Sequence, residues 1–312
     1  MKKYILLATA ALTLAACNND EVTTVPTGDV ALQVNASISK TATRAAGTAW
    51  AENDVIGIST TSTGATHYTN VCYQYAGGTF TAQPADDAIY FQDLDEVTFS
   101  AYYPYAGAQG ASAGTVTKTI TAADQTADAQ PQIDYLFASG ATASKNSPTV
   151  NFTGDNAFSH CMTQISVRFT EGDDMDFTGL MTGYTLAGLY MTGTFNTETG
   201  EATGNADEED LTITLDNVTA TGGVYTTNPV IVFPQSATSI DMTVDIKNTA
   251  GDMQAQTYRA TLTVPAAGNG TGLQPGYHYV FPVTVSKTGL IVGTAEIKDW
   301  VEVAAGGATA QM

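Results

Sequence analysis

Cys17 is the residue whose surroundings most plainly specify a reaction. Lys2 and Lys3 precede an apolar run from Tyr4 to Ala11, and the segment closes on Leu14-Ala15-Ala16-Cys17. A charged start, a short apolar stretch and small residues before a cysteine mark an exported chain that is cut before that cysteine and acylated on it. The stretch falls well short of the roughly 20 residues a membrane-spanning helix requires, so it reads as a leader. Other chemistry is sparse. The histidines are His67, His160 and His278. Gly110-Ala111-Ser112-Ala113-Gly114 matches the hydrolase pattern G-x-S-x-G, but it lacks the buried strand before and the helix after that a nucleophile elbow needs. Gly268, Gly270 and Gly272 lack the glycine spacing of a dinucleotide turn, and no zinc-protease, phosphate-loop or EF-hand pattern occurs. Asp93 with Asp95, and the acids between Asp173 and Asp176, offer oxygen donors for calcium but read as solvated turns between strands. No catalytic residue, metal or cofactor is expected. His160, within Ala157-Phe158-Ser159-His160-Cys161-Met162, reads as a packed, hydrogen-bonded histidine. Once Cys17 is acylated, Cys72 and Cys161 allow one disulfide at most, and they read as two separate buried thiols.

A second reaction is suggested by Arg44, one of three arginines. It lies in Thr41-Ala42-Thr43-Arg44-Ala45-Ala46-Gly47, a run of small residues with little to fold around. Such segments are where proteolytic nicking concentrates, and an arginine there suits an Arg-specific enzyme cutting between Arg44 and Ala45. A solvated loop arginine is the plain alternative. What distinguishes the site is the segment upstream, where Val30, Leu32, Val34, Ala36 and Ile38 alternate without a fault. That is the pattern of a strand with one face in a core. A cut at Arg44 makes this strand removable, leaving an apolar groove and a row of unpaired backbone groups, a template for another chain's strand.

The elements that position these residues follow from the same period of two. Val97, Phe99, Ala101 and Tyr103 alternate, as do Ile165, Val167 and Phe169. Leu211, Ile213 and Leu215 follow, then Ile240, Met242, Val244 and Ile246, then Tyr258, Ala260, Leu262 and Val264, and last Tyr277, Tyr279, Phe281, Val283 and Val285. Glycine, asparagine, aspartate and proline cut these runs to strand length, and helix should be scarce. The expected fold is all-β, a pair of sandwiches. The acidic turn Glu171-Gly172-Asp173-Asp174-Met175-Asp176 marks the boundary between them. The organisation is then a leader over 1–17, a propeptide over 18–44 holding the removable strand, and sandwiches over 45–170 and 171–312. Gly107 to Gly114 and Asn205 to Asp210 read as solvated loops. Trp50, Trp300 and the Tyr102-Tyr103-Pro104-Tyr105 group read as core, not as a sugar-stacking platform.

The formal net charge is −20; without residues 1–44 it is −21, from 28 acids against 7 bases. A polyanionic partner such as nucleic acid is excluded on electrostatic grounds. Charged residues are only 13% of the chain and apolar ones 43%, with fifteen Tyr and eleven Phe, so packed cores are expected in place of an acidic disordered tail.

These residues together resemble the fimbrillin-like (Mfa-like and FimA-like) type V pilins and associated lipoproteins of Bacteroidia. The likeness runs through Cys17, Arg44-Ala45, Trp50, Asp54-Val55-Ile56-Gly57-Ile58, Asn70, Tyr73 and Ile89-Tyr90-Phe91. Its most specific stretch is Phe99-Ser100-Ala101-Tyr102-Tyr103-Pro104-Tyr105, followed by Asp124-Gln125, Asp134-Tyr135-Leu136 and Phe158-Ser159-His160. It closes on Gly272-Leu273, Gly276, Tyr279, Phe281, Ile297 and Trp300. The acidic start Asn18-Asn19-Asp20-Glu21 is similar to the export signal of surface-displayed lipoproteins. The resemblance implies two transthyretin-like β-sandwich domains and lipid attachment at Cys17 in the outer membrane. It also implies surface cleavage after Arg44 by an Arg-specific protease and polymerisation with other fimbrial subunits, like or unlike. The donor strand would come from Gly289 to Met312, where Val301, Val303 and Ala305 alternate. The alternative is a surface lipoprotein that never polymerises and binds glycan or host protein.

Overall fold

The computed structural model describes residues 28–39, 49–249, 251, 254–268 and 270–300. Within them the chain is all-β, with 3-10 turns at Ala85–Asp87, Ala122–Gln125, Gln130–Gln132 and Gly154–Asn156. The N-terminal half holds β1 (Gln33–Ala36), β2 (Val55–Thr60), β3 (Val71–Ala76), β4 (Thr79–Ala82), β5 (Val97–Tyr103), β6 (Thr115–Thr119), β7 (Leu136–Ala143), β8 (Thr149–Phe152) and β9 (Ser159–His160). All but β6 join one sheet in the order β8-β1-β4-β3-β2-β5-β7-β9. Its inward residues, among them Leu32, Val34, Phe80, Phe99, Val150 and Phe158, form a single core. The period of two explains the alternation, since successive side chains on a strand point to opposite faces. Gly77 and Gly78, at φ 59° and 94°, make the two-residue turn between β3 and β4. Two consecutive positive φ values are the tight hairpin geometry, and glycine adopts them without steric cost.

The C-terminal half holds β10 (Thr163–Glu171), β11 (Met181–Tyr190), β12 (Thr192–Asn196), β13 (Ala202–Gly204), β14 (Glu208–Thr214), β15 (Val224–Thr226) and β16 (Val230–Val232). It continues with β17 (Ser239–Ile246), β18 (Gln256–Thr263), β19 (Tyr277–Ser286), β20 (Gly289–Val292) and β21 (Glu296–Asp299). One sheet runs β15-β10-β19-β20, with β16 also on β10 and β21 also on β19; the other runs β14-β11-β17-β18. Ile165, Phe169, Tyr184, Met242, Leu262 and Phe281 belong to the core these two sheets share.

The expected boundary after residue 170 falls inside β10, whose ladder partners β15, β16 and β19 all lie C-terminal to it. The acidic turn at 171–176 connects β10 to β11 within the second half. We therefore propose the division into two domains between β9 and β10. The halves interlock. β6 leaves the first half to pair with β12 of the second, Thr115↔Asn196 through Thr119↔Thr192. The Gln125 side chain donates to the Ile231 carbonyl and accepts from its N–H, both at 2.8 Å, and Tyr135 stacks on Phe195 at 4.6 Å. One loop expectation changes. Glu208, Glu209 and Asp210 lie on β14, where Glu208 and Glu209 pair with Tyr190 and Leu189 beyond a bulge in β11. These three acids are exposed on an edge strand, where charge discourages pairing with a further chain.

Candidate functional site

The strand read from Val30 to Ile38 is held from both sides. Backbone parity sorts its contacts, because the odd residues face β8 and the even ones face away from it. On the β8 side the ladder is parallel, Gln33↔Thr149 through Ala36↔Phe152. Gln33 N–H donates to Pro148 O at 2.8 Å and Ser37 N–H to Phe152 O at 2.9 Å; Ser37 O accepts from Phe158 N–H at 3.0 Å. On the other side Leu32 N–H donates to Ile89 O at 2.8 Å, Val30 O accepts from Phe91 N–H at 3.1 Å, and Val34 pairs with Phe80 of β4. Past Val34 the pairing with β4 stops. There the indole N–H of Trp50 donates to Ala36 O at 3.0 Å.

Leu32, Val34 and Ile38 are 5%, 6% and 3% exposed, while Val30 and Ala36 are half-buried. Outward, Asn35 Nδ2 donates to Asn151 Oδ1 at 3.0 Å and Thr149 Oγ1 to Gln33 Oε1 at 3.1 Å, both exposed. Deleting this strand leaves a gap between β8 and β4 whose floor is the first core. An open depression bordered by Leu32, Val34, Phe80 and Ala82 already follows the loosely paired β1–β4 seam. Cys17, Arg44 and Ala45 lie outside the described residues, as do residues 301–312.

The other singled-out residues do not converge on a catalytic centre. His160 is buried, with Nδ1 at 2.9 Å from Asp134 Oδ1, and its ring stacks on that of Trp300 at 4.4 Å. Burial pushes the Asp134 carboxyl up, with the neighbouring His160 acting in the opposite direction. Trp300, 1% exposed, follows the last strand and donates its N–H to Gly276 O at 3.3 Å, fastening the end of β21 beside the first half. His278 is also buried, its Nε2 at 2.9 Å from Ser166 Oγ. His67, exposed and outside any strand, has its Nδ1 3.5 Å from Thr60 Oγ1. Ser112 Oγ donates to the Glu198 carboxylate and accepts from Gly114 N–H in an exposed loop, with no helix behind it. Asp93 Oδ1 accepts from Asp95 N–H, a local turn. No three acidic, cysteine or histidine side chains among the described residues are grouped to hold a metal. Cys72 is half-buried and Cys161 buried; both are free thiols, and burial, then Asp134, pushes Cys161 up.

The Trp50–Ala36 and Asp134–His160 hydrogen bonds are contacts that local pattern did not reveal. Each joins residues distant in sequence, and only the fold brings the pairs together.

A family profile described as fimbrillin-like matches residues 43–300. The chain belongs to the fimbrillin-like family. A profile for the prokaryotic membrane lipoprotein lipid attachment site matches residues 1–18, which include Cys17. This fimbrillin-like chain is thus a fimbrial or adhesion subunit with a lipid attachment site, a structural protein and not an enzyme. Among solved structures, a candidate cell adhesion protein of Bacteroides ovatus is 29% identical, with TM-score 0.70 over 89% of this chain and 100% of that one. A candidate cell adhesion protein of Bacteroides uniformis is 24% identical, with TM-score 0.64 over 88% and 98%. The tip fimbrial protein Mfa3 of Porphyromonas gingivalis, truncated at its C-terminus, is 11% identical, with TM-score 0.51 over 88% and 100%. The last two share the fold alone. No curated protein matches the chain.

Proposed function

We propose that this fimbrillin-like chain is a pilus subunit that matures by losing its first strand and polymerises by donor-strand exchange. It reaches the outer membrane acylated on Cys17, an Arg-specific protease cuts between Arg44 and Ala45, and Val30 to Ile38 leaves. A strand from another subunit fills the gap between β8 and β4. The observation that carries this reading is that one short strand, N-terminal to the scissile bond, sits between two neighbours with its apolar face in the core. Three buried aliphatic side chains, at about 1.5–3 kcal/mol each, put on the order of 5 to 9 kcal/mol of apolar burial at stake when the slot empties. The vacated backbone groups add the cost of unmade hydrogen bonds. A replacement strand restores both terms.

The donor is drawn from Gly289 to Met312. Within that span β20 and β21 are paired to β19 and Trp300 is buried. Exchange that spares the second core therefore uses the residues after Trp300, where Val301, Val303 and Ala305 supply the alternation. N-terminal sequencing of protein recovered from cell surfaces is the test. The expected start is Ala45 in multimers and acylated Cys17 in the precursor, with Arg44→Ala abolishing the multimers. Multimers that retain Val30–Ile38 would overturn the reading.

A further inference from the structure

Trp50 lies C-terminal to the proposed scissile bond, so it stays with the chain when Val30–Ile38 departs. Apart from the hydrogen bond to Ala36 O, the ring–ring contacts that brace it come from residues outside the departing strand. Phe80, Tyr103 and Phe158 meet it edge-on, with centroids at 5.1, 5.7 and 5.0 Å. The backbone beside it is pinned by a turn in which Ala51 N–H donates to Asp54 Oδ2 at 2.7 Å and Asp54 N–H to Ala51 O at 3.1 Å. Tyr103 O–H in turn donates to Asp54 Oδ1 at 3.1 Å. The ring is thus braced by groups that remain when the strand departs; with the strand in place Trp50 is only 8% exposed.

Its partner, Ala36 O, belongs to an even residue, one of those whose backbone groups face β4. β4 itself offers a ladder partner only at Val34↔Phe80, so Trp50 stands where the next rung would be. With the strand gone this N–H loses the carbonyl that accepts it, and a donor at the edge of an apolar core is costly to leave without a partner.

We propose that Trp50 is a positioning residue for strand exchange: its indole N–H captures a backbone carbonyl of the incoming strand at the place Ala36 O now occupies. This rests on the donor-strand reading. The role is independent of the donor's side-chain sequence, because every peptide carries carbonyls on alternate residues of the same edge. It makes the β4 side of the slot selective for a chain lying deep enough to reach Trp50, where backbone pairing alone would stop one rung earlier.

The test uses the full chain cut with an Arg-specific protease and a synthetic peptide of residues Val30–Ser39, either native or with a thioamide replacing the Ala36 carbonyl. Sulfur at that position is a weaker acceptor and leaves the Ser37 N–H in place. The native peptide should bind the cut chain, and the thioamide should weaken binding roughly fivefold, the worth of one ordinary hydrogen bond. In Trp50→Phe the two peptides should bind alike, so the cycle isolates the N–H to carbonyl contact from ring packing. The same cycle with 3-benzothienylalanine at position 50, which keeps the ring's shape and lacks the N–H, serves if Trp50→Phe does not fold. An equal thioamide loss with and without the N–H, or no loss with Trp50, overturns the proposal and leaves strand exchange standing. A cut chain that never takes up the native peptide overturns both.

Discussion

His278 shows how a single buried residue should write itself into the pH dependence of the molecule. Burial, followed by the nearby Lys298 charge, lowers its pKa from 6.5 to about 4. The folded form therefore resists a proton that the unfolded chain accepts below about pH 6.5. Its contribution to stability is full above that value, falls as pH drops, and levels off near pH 4. The shift corresponds to at most about 3 kcal/mol. His278→Gln, which keeps a hydrogen-bonding group near Ser166, should flatten this part of the curve. Urea unfolding of both proteins between pH 7 and pH 4 measures it, and parallel curves would remove His278 from the account. The Asp134–His160 pair is a different case. It is a buried, hydrogen-bonded pair against the stacked Trp300, and its Asp134 Oδ2 and His160 Nε2 lack hydrogen-bond partners among the described residues. Sequence could mark His160 as structural from its apolar surroundings, but not its partner 26 residues away.

At the scale of elements, β1 invites a comparison that a permanent core strand would fail. Leu32→Ala should destabilise the intact chain by about 2–5 kcal/mol, the usual range for a truncated buried leucine. In cleaved chain purified free of the excised strand the same substitution should cost nothing, because residue 32 is no longer present in the fold. Denaturant unfolding before and after cleavage reads the difference; an unchanged penalty in the cleaved material would mean the strand never leaves. The alternation of Val30 to Ile38, of Ile240 to Ile246 and of Tyr277 to Val285 was enough to locate β1, β17 and β19. It was not enough to show that β5 is buried on both faces. There Ser100 and Tyr102 face away from Phe99 and Ala101, and Tyr102 packs into the core of the second half near Phe195. A period of two records that a face is apolar, whereas a polar or aromatic residue on the reverse face can be solvated or covered by a distant half of the chain. The same limit hid the start of β14: Leu211 and Ile213 mark the strand, but the acids Glu208, Glu209 and Asp210 read as loop although Glu208 and Glu209 pair with β11. It also displaced the boundary between halves, since the acidic turn at 171–176 signals a strand end without saying which sheet that strand serves.

For the whole molecule, charge and contact chemistry point in opposite directions. Cut at Arg44 as proposed, each subunit would carry −21 and like subunits would repel, while the proposed joint is made of apolar side chains and backbone hydrogen bonds. At about 1 M salt the Debye length shrinks to about 3 Å and the repulsion is screened, whereas strand pairing is left intact. Multimers should therefore persist, or lengthen, in 1 M NaCl and come apart in urea. Sedimentation of assembled material in each condition decides this, and dissolution by salt alone would argue for joints made of ion pairs. The interlock of β6 with β12, together with the Gln125 and Tyr135 contacts, implies that the two halves respond to such treatments as one body.

The slot's neighbour β8 runs in the same direction as β1. A parallel ladder has a slanted bond pattern that a reversed chain cannot reproduce. In the assembly proposed above, a donor with β1's heading rebuilds this ladder, whereas one of opposite heading must make an antiparallel ladder in its place. A filament of such links has chemically unlike tips, with a vacancy at one and an unspent tail at the other, and a member missing either feature caps it.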